Sequence, residues 1–211
     1  MSLSPKLLPS LVQAVENTIK NNAEEVTALD QAIGDGDHVF NLQRGLDALI
    51  EQKDDLAELD WESAWQKIGM TLMSTVGGAS GSLFGTLFVA MSKAARGQEL
   101  SLQSFANAFS QGVESVKQRG KADIGEKTML DVLVPVASSL QDSAAASAEL
   151  SDVLENIKRV AISGMESTRD MLATKGRASF LGDRTIGHID AGAKTTQLII
   201  CAIADTLLAN N

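Results

Sequence analysis

The sequence predicts an all-α protein, with eight helices in a single domain that spans residues 1–211. Apolar residues make up 44% of the chain, and they recur at helical spacing over long stretches. Aromatic residues make up only 4%, Tyr is absent and there are only 3 Pro, a composition that favours helices over sheets. No stretch alternates apolar and polar residues over a useful length. Because most connections are short, we expect neighbouring helices to be antiparallel.

The first two helices flank a segment that is rich in Asp and Gly. Residues 4–29 predict the first helix, which Ser4 can cap and whose first turn suits Pro5. Apolar residues keep roughly one face of this helix and stop at the Asp/Gly segment. The second helix is predicted over residues 37–52, and the polar residues 53–59 are interpreted as a connection.

Three helices follow in the middle of the chain. Asp60 can cap the third, whose apolar stripe includes Trp61 and Trp65. We interpret these tryptophans as core residues rather than as a binding platform. Residues 82–97 predict the fourth helix, and Ser101 opens the fifth.

The remainder of the chain predicts three more helices. The sixth, over residues 128–142, contains Pro135, which should kink the helix or shift its start. The seventh is predicted over residues 151–174, after a short linker rich in Ser and Ala. A glycine-rich loop over residues 175–192 precedes the last helix, 191–209, which is apolar on most faces and is therefore expected to be buried.

Most of the glycines fall in the helix connections. In an up-and-down bundle, alternate connections lie at the same end, so the helix count decides whether these loops meet. The glycines in question are Gly34 and Gly36, then Gly77, Gly78 and Gly81, then Gly120 and Gly125, and finally Gly176, Gly182, Gly187 and Gly192.

Charge and hydropathy argue against several classes of protein. The net charge is −9, so binding of nucleic acid through its phosphates is not expected. The N-terminus carries no basic, apolar signal, and no apolar run approaches the ~18 residues that span a membrane. The single cysteine, Cys201, excludes a disulfide within the chain, and we expect a cytoplasmic protein.

Three carboxylates, those of Asp30, Asp35 and Asp37, fall within eight positions of the Asp/Gly segment. Carboxylates that converge on one point raise one another's pKa unless a cation lies among them. Oxygen ligands of this kind suit a hard divalent ion, most plausibly Mg²⁺, although an acidic turn that caps two helices is the alternative. His38 could ligate the metal, contact a nucleotide or act as a base, and ligation is the weakest of these because imidazole suits softer metals.

Three further loops could bind phosphate. The free N–H groups after residues 77–81 form a natural phosphate cradle, although this segment could also be a plain helix–helix turn. Residues 120–128 nearly match a P-loop, but Glu126 displaces Lys127 by one position and no buried strand precedes it, so we reject that interpretation. The interpretation that this loop supplies Lys127 and backbone amides to a ligand remains an open alternative. In the long loop that follows, Arg177 is a candidate lid cation for a transferring phosphoryl group.

The motifs of the chain fall in five ordered blocks: residues 29–45, 69–81, 119–122, 127–131 and 175–193. Over essentially the whole chain, this pattern resembles the nucleotide-binding L subunits of bacterial dihydroxyacetone kinases. The resemblance implies an eight-helix antiparallel barrel with a nucleotide, ADP or ATP, at one end. It implies that Asp30, Asp35 and Asp37 hold two Mg²⁺ ions, and that Arg177 serves the catalytic step. The nucleotide contacts that the resemblance implies are His38, Val39, Phe40, Asn41, Ala79, Ser80, Gly120, Met129, Arg177, Asp190, Ala191 and Gly192.

The resemblance also implies two partner proteins. A separate K subunit would carry dihydroxyacetone covalently, and a phosphohistidine M subunit of the phosphotransferase system would rephosphorylate the bound ADP in place. ATP-dependent kinases of this kind fuse the two parts in one longer chain, so the length of this chain suggests the first type. Three alternatives stay open: the nucleotide subunit of a kinase for another ketose, one for a fatty acid carried by a second subunit, or a non-catalytic module that binds metal or nucleotide. A homodimer also stays open.

Two positions depart from the pattern of that family. Val39 stands where the family usually has Gly after the histidine, and we expect it to affect the nucleotide contacts at positions 39 and 40. Glu126 stands where the family has Asp. Neither change removes a carboxylate.

Overall fold

Eight helices of the described chain form a closed ring, as seen in a computed structural model that describes residues 4–210. Helix α1 packs against α3, α3 against α5, and each later helix packs against the next along the chain. The ring closes where α10 packs against α1, which confirms the predicted eight-helix antiparallel barrel. The helices are α1 (Leu8–Asn21), α2 (Ala23–Ile33), α3 (His38–Glu51), α4 (Lys53–Ala57), α5 (Trp61–Thr75), α6 (Gly78–Ala95), α7 (Leu102–Gly120), α8 (Leu130–Ala145), α9 (Leu150–Ser167) and α10 (Ala191–Ala209).

The inward faces of these helices form one apolar core. Trp65 is 4% exposed, and its ring lies 5.5 Å from that of Trp61 and 6.1 Å from that of Phe105, which confirms the core interpretation of the tryptophans. The core also encloses an apolar cavity of about 460 Å³, lined by side chains such as Leu46 and Leu133. None of the helices in residues 4–210 is both long and apolar enough to cross a membrane.

The prediction of one continuous first helix over residues 4–29 is wrong. A 3₁₀ turn over Pro5–Leu7, capped by Ser4, leads into α1, and the chain breaks at Asn22 before α2 begins. The side-chain amide of Asn22 donates to the carbonyl oxygen of Thr18 at 2.8 Å and competes with the helical backbone there. Helix α2 then carries the chain into the Asp/Gly segment.

Other element boundaries also differ from the prediction. Residues 53–59, interpreted as a connection, contain the short helix α4. Helix α6 begins at Gly78 instead of 82, and α8 begins at Leu130, two residues late, and continues through Pro135. Helix α9 ends at Ser167 rather than at 174, because the chain tightens there into a 3₁₀ turn.

The glycine-rich connections meet at one end of the barrel. Chain direction alternates around the ring, so the connections α2–α3, α5–α6, α7–α8 and α9–α10 share that end. The last of these is the longest, and part of it, Arg177–Thr185, winds into 3₁₀ turns. We call residues 175–187 of this connection the lid. The order of the helices in the ring therefore brings the four glycine-rich connections together, which the glycine spacing alone could not decide.

Candidate nucleotide and metal site

A cavity of about 480 Å³ opens at the glycine-rich end of the barrel. All four glycine-rich connections contribute to its walls. Of the residues predicted for the site, those that line this cavity are Asp30, Asp35, Asp37, His38, Ala79, Ser80, Gly120, Met129, Arg177, Asp190, Ala191 and Gly192. The fold therefore brings together residues that lie up to 162 positions apart in the chain, from Asp30 to Gly192.

Three predicted contacts, Val39, Phe40 and Asn41, do not line the cavity. The Val39 side chain is 4% exposed and belongs to the barrel core, whereas Phe40 is 66% exposed on the outside. The Asn41 side chain lies beside Gly77, where an added Cβ would come within 2.4 Å of its Oδ1. Successive side chains of a helix point about 100° apart, so only His38 of this turn faces the cavity.

The three aspartates form an acid cluster at the junction of α2 and α3. One carboxylate oxygen from each of Asp30, Asp35 and Asp37 lies within 4.8 Å of the other two. The turn that gathers them is held by Gly34 N–H, which donates to the Asp30 carbonyl at 2.5 Å, and by His38 N–H, which donates to Asp30 Oδ2 at 3.1 Å. Convergent hard oxygen donors at this spacing fit a divalent cation such as Mg²⁺.

The lid folds over the acid cluster through one ion pair. Arg177 Nε lies 2.8 Å from Asp35 Oδ2, while the Arg177 side chain remains 74% exposed. The lid therefore places a positive charge directly against the predicted metal ligands.

His38 connects three helices at the cavity wall. Its Nδ1 lies 3.1 Å from Ser80 Oγ on α6, and its Nε2 lies 2.9 Å from Thr195 Oγ1 on α10. Burial lowers the pKa of His38, although the carboxylates of the acid cluster act to raise it. Both ring nitrogens have hydroxyl partners, so the arrangement does not favour metal ligation. Thr195 was not predicted, and only its place one turn into α10 could have suggested it.

Four helices, α3, α6, α8 and α10, begin at this cavity. Their N-termini bring partial positive charge and unpaired N–H groups to one place, which suits a phosphate chain. The N-terminus of α6 has no side-chain cap, so the amides there are free to bind an anion. Gly78, with φ +67°, takes a left-handed conformation in which an anion can approach the backbone closely.

Asp190 caps α10 and also lines the cavity. Its Oδ2 accepts from Ala193 N–H at 2.7 Å, so the side chain is an ordinary N-cap of this helix. Burial raises the pKa of Asp190 to about 6, against the opposing effects of the Ala193 N–H and the Lys127 charge. The pKa of this carboxyl group should therefore respond to any charge that enters the cavity.

Two basic residues, Arg119 at the end of α7 and Lys127 in the α7–α8 connection, line the cavity but have partners within the protein. Lys127 was considered as a ligand contact, but its ammonium donates to the main-chain carbonyls of Thr168 and His188. Arg119 lies at the cavity wall, where its Nε donates to Ser82 Oγ at 2.9 Å. Apolar side chains that the sequence did not single out complete the wall: Ile33, Leu83, Val116, Ala122 and Leu130.

An all-helical barrel with an acidic, glycine-rich cavity at one end defines the structural class of this chain. The chain belongs to the DAK2 domain family, whose model matches residues 32–205. The match includes the acid residues Asp35 and Asp37, the α6 N-terminus and the lid.

Curated relatives match along nearly the whole chain. It is 40% identical over 205 residues to the PEP-dependent dihydroxyacetone kinase ADP-binding subunit DhaL of Escherichia coli, covering 97% of this chain and 98% of the relative. It is 39% identical to a subunit of the same description from Listeria innocua, over 89% of each chain. The human triokinase/FMN cyclase is 30% identical over 96% of this chain but only 35% of the longer protein.

Solved structures support the fold. The dihydroxyacetone kinase of C. freundii superposes with a TM-score of 0.73 at 24% identity, over 97% of this chain and 35% of that one. The same kinase in complex with AMP-PNP and Mg²⁺ gives a TM-score of 0.73 at 22% identity. The chain thus spans about a third of the length of those structures, and at this identity the likeness shows the fold alone.

The raised pKa of Asp190 makes stability depend on pH in a defined direction. Its pKa is about 6 in the folded chain and 3.8 in the reference state, so folding takes up a proton between these values. Stability is therefore lost as pH rises through this window, by at most about 3 kcal/mol. We expect Asp190→Asn, which keeps the cap acceptor, to be more stable than wild type above pH 6 and equal to it below pH ~4. Urea denaturation without metal or nucleotide measures this.

Asp60→Asn is the matched control for this prediction. Asp60 caps α5 through the Ser63 N–H at 2.7 Å, and hydrogen bonds from Ser63 lower the pKa of this exposed carboxylate. The sign is therefore opposite: wild type should be more stable than Asp60→Asn at neutral pH, and the difference should vanish as pH falls through the folded pKa. If Asp190→Asn shows the same sign as Asp60→Asn, the pKa of Asp190 is not raised.

Proposed function

We propose that this chain is the ADP-binding subunit of a PEP-dependent dihydroxyacetone kinase. Residues 1–211 would act as one nucleotide-binding domain that transfers a phosphoryl group from bound nucleotide to dihydroxyacetone on a separate K subunit. The observation that carries the proposal is the meeting of an acid cluster, four helix N-termini and a lid arginine in one cavity. The two bacterial relatives described above carry the names of such subunits over nearly their whole length.

The residues divide among the parts of a nucleotide. Asp30, Asp35 and Asp37 would hold two Mg²⁺ ions, which when bound neutralise phosphate charge. The free amides at the start of α6, at Ala79 and Ser80, would cradle the phosphates. The apolar side chains of the cavity wall suit the nucleobase, which needs burial more than charge.

Phosphoryl transfer needs positioning and charge neutralisation more than a protein nucleophile. Arg177 is placed for this role, because the lid already holds its guanidinium against the acid cluster. His38 would orient Ser80 and the N-terminus of α10 rather than take a proton, since both its ring nitrogens have hydroxyl partners. The exposed side of the cavity would admit the K subunit, and the phosphohistidine of an M subunit would restore the γ-phosphoryl in place. The proposed setting is the cytoplasm, and a homodimer stays a prediction.

Reconstitution tests this proposal against its alternatives. The purified chain is mixed with a K subunit and dihydroxyacetone, and supplied either with a phosphohistidine M subunit or with free ATP. We expect dihydroxyacetone phosphate with the phosphohistidine donor and co-purified ADP in the native mass spectrum. Turnover with ATP alone would favour the ATP-dependent type. No transfer from either donor would leave a kinase for another ketose, a fatty-acid kinase or a non-catalytic module.

Asp35→Asn should separate metal binding from folding. Asp35 lies exposed in the turn before α3, so its substitution leaves the ring intact. We expect Mg²⁺-dependent ADP binding to weaken by about 100-fold or more, because the loss of even a supporting group at a metal site costs up to that factor. Calorimetry in Mg²⁺ and in EDTA measures it, and in EDTA the variant should bind ADP no more weakly than wild type, since it has lost one carboxylate that repels the phosphates.

Asp142→Asn is the control, since this exposed aspartate lies near the C-terminus of α8, at the opposite end of the barrel. It should bind Mg-ADP as wild type does. Wild-type affinity in Asp35→Asn would remove the acid cluster from the proposed site.

Arg177→Ala should affect transfer more than binding. We expect the rate of phosphoryl transfer to fall about 10²–10³-fold, as for removal of a group that stabilises the transferring charge. ADP affinity should change far less, since the phosphates keep the amide and metal contacts. Single-turnover kinetics and calorimetry measure the two effects. Arg184→Ala is the control, because this exposed lid arginine contacts only the Leu181 carbonyl at 3.4 Å; an equal loss there would contradict a specific role for Arg177.

A further inference from the structure

One buried charge in this end of the barrel has no part in the function proposed above. The Lys127 side chain is only 1% exposed and is the largest of the fully buried side chains in the described chain. Its backbone takes a left-handed conformation, with φ +60°, which is unfavourable for a residue with a Cβ. Lysine is rarely buried in this way, and such outliers persist where the surroundings hold them in place.

The ammonium of Lys127 joins the two ends of the α9–α10 connection. Its Nζ donates to the carbonyl oxygen of Thr168 at 2.5 Å and to that of His188. Thr168 directly follows α9, and His188 comes two residues before Asp190, the cap of α10. The lid lies between these points, so the two bonds close its base.

Other bonds at the same place tie the ends together. Thr168 Oγ1 accepts from Asp190 N–H at 3.1 Å, and Gly187 N–H donates to the Arg169 carbonyl at 2.8 Å. Farther out, Ala173 N–H donates to Thr185 Oγ1 at 3.1 Å. These contacts form a neck of paired main chain below the lid.

The residue next to Lys127 holds the point where the lid leaves this neck. Glu126 Oε1 accepts from Thr174 Oγ1 at 2.9 Å and lies 3.3 Å from Lys175 Nζ. Gly176, with φ +64°, follows at once and turns the chain toward Arg177. Two adjacent residues of the α7–α8 connection therefore bind the lid segment. Lys127 bonds to both ends of its base, and Glu126 bonds to the residues where the lid begins.

The main chain around Glu126 and Lys127 is in turn bonded to the barrel. Asp131, buried at the start of α8, accepts from Gly125 N–H at 2.5 Å through Oδ1 and from Thr128 N–H at 2.7 Å through Oδ2. These bonds fix the main chain on both sides of Lys127. Asp131 thus links helix α8 to the Lys127 segment, and Lys127 links that segment to the base of the lid.

We propose that Lys127 is a positioning residue for phosphoryl transfer, which sets the lid with Arg177 and the start of α10 over the cavity. Its ammonium acts through the Thr168 and His188 carbonyls and does not contact the ligand. The inference rests on the function proposed above for the cavity, but the structural part of it can be tested without activity.

Hydrogen exchange tests the structural part. Lys127→Met keeps the length of the side chain and removes the donors. Lys121→Met is the matched control: Lys121 lies in the same connection, also with a left-handed backbone, φ 48°, but it is exposed and does not line the cavity. In Lys127→Met, amides of residues 168–190 should exchange about tenfold faster or more, since bonds to a charged donor are lost. Exchange in α5, α6 and α7 should not change, and Lys121→Met should match wild type.

A double-mutant cycle with Arg177→Ala tests the positioning role. If Lys127 acts through the lid, Lys127→Met lowers kcat by about tenfold in wild type but less than about twofold in the Arg177→Ala background. A merely structural role would lower kcat by the same factor in both. Equal losses, an unchanged kcat or unchanged exchange in the lid would each overturn the proposal.

Two further results keep the test decisive. If circular dichroism shows that Lys127→Met is unfolded, Lys127→Gln, which keeps one donor, replaces it in the same comparisons and should give a smaller effect of the same kind. If wild type and Lys121→Met show no phosphoryl transfer from either donor, the function proposed for the cavity fails. The exchange comparison still decides whether Lys127 holds the lid.

Discussion

The closure of the helical ring is the constraint on which the rest of the structure depends. Because α10 packs against α1, eight helices alternate in direction around the barrel, and every second connection falls at the same end. The acid cluster, the uncapped start of α6, the Lys127 connection and the lid are far apart in the chain, yet all meet there. One helix more or fewer would send some of these connections to the opposite end. The site is therefore a consequence of helix count before it is a consequence of any one loop.

The same alternation explains how opposite charges share the cavity without cancelling. Four helix N-termini attract anions directly, whereas the acid cluster would repel a phosphate unless a cation lies between them. On the proposed function, the acid cluster binds cations directly, and it contributes to phosphate binding only through those cations. In this structure Arg177 lies against Asp35 and neutralises part of that charge. A metal ion held by Asp35 would take the oxygen that now pairs with Arg177, and the guanidinium would then be available to the phosphates of a nucleotide.

Features set by local spacing could be predicted from the sequence, and features set by single tertiary contacts could not. Helical periodicity predicts the helices, and the Asp/Gly spacing predicts the acid cluster, because both act within a few residues. The closed ring was implied only by the family resemblance. The break at Asn22 depends on one side-chain bond to Thr18, which periodicity does not record. The His38–Thr195 contact joins residues 157 positions apart. The sequence leaves open whether Lys127, in a glycine-rich loop, contacts a ligand, and only the structure shows that its ammonium binds two distant carbonyls.

The departure at position 39 shows how the helix separates main-chain from side-chain roles. Val39 faces the core when His38 faces the cavity, so a valine there changes packing inside the barrel and leaves the cavity wall alone. Helix α3 has no capping side chain, the His38 N–H already binds Asp30, and the Asn41 N–H binds the Asp37 carbonyl. The N–H groups of Val39 and Phe40 are free of any partner inside the helix, as expected for its first turn. Because neither residue lines the cavity, a valine in place of glycine leaves these N–H groups as they are and changes only the packing of the core.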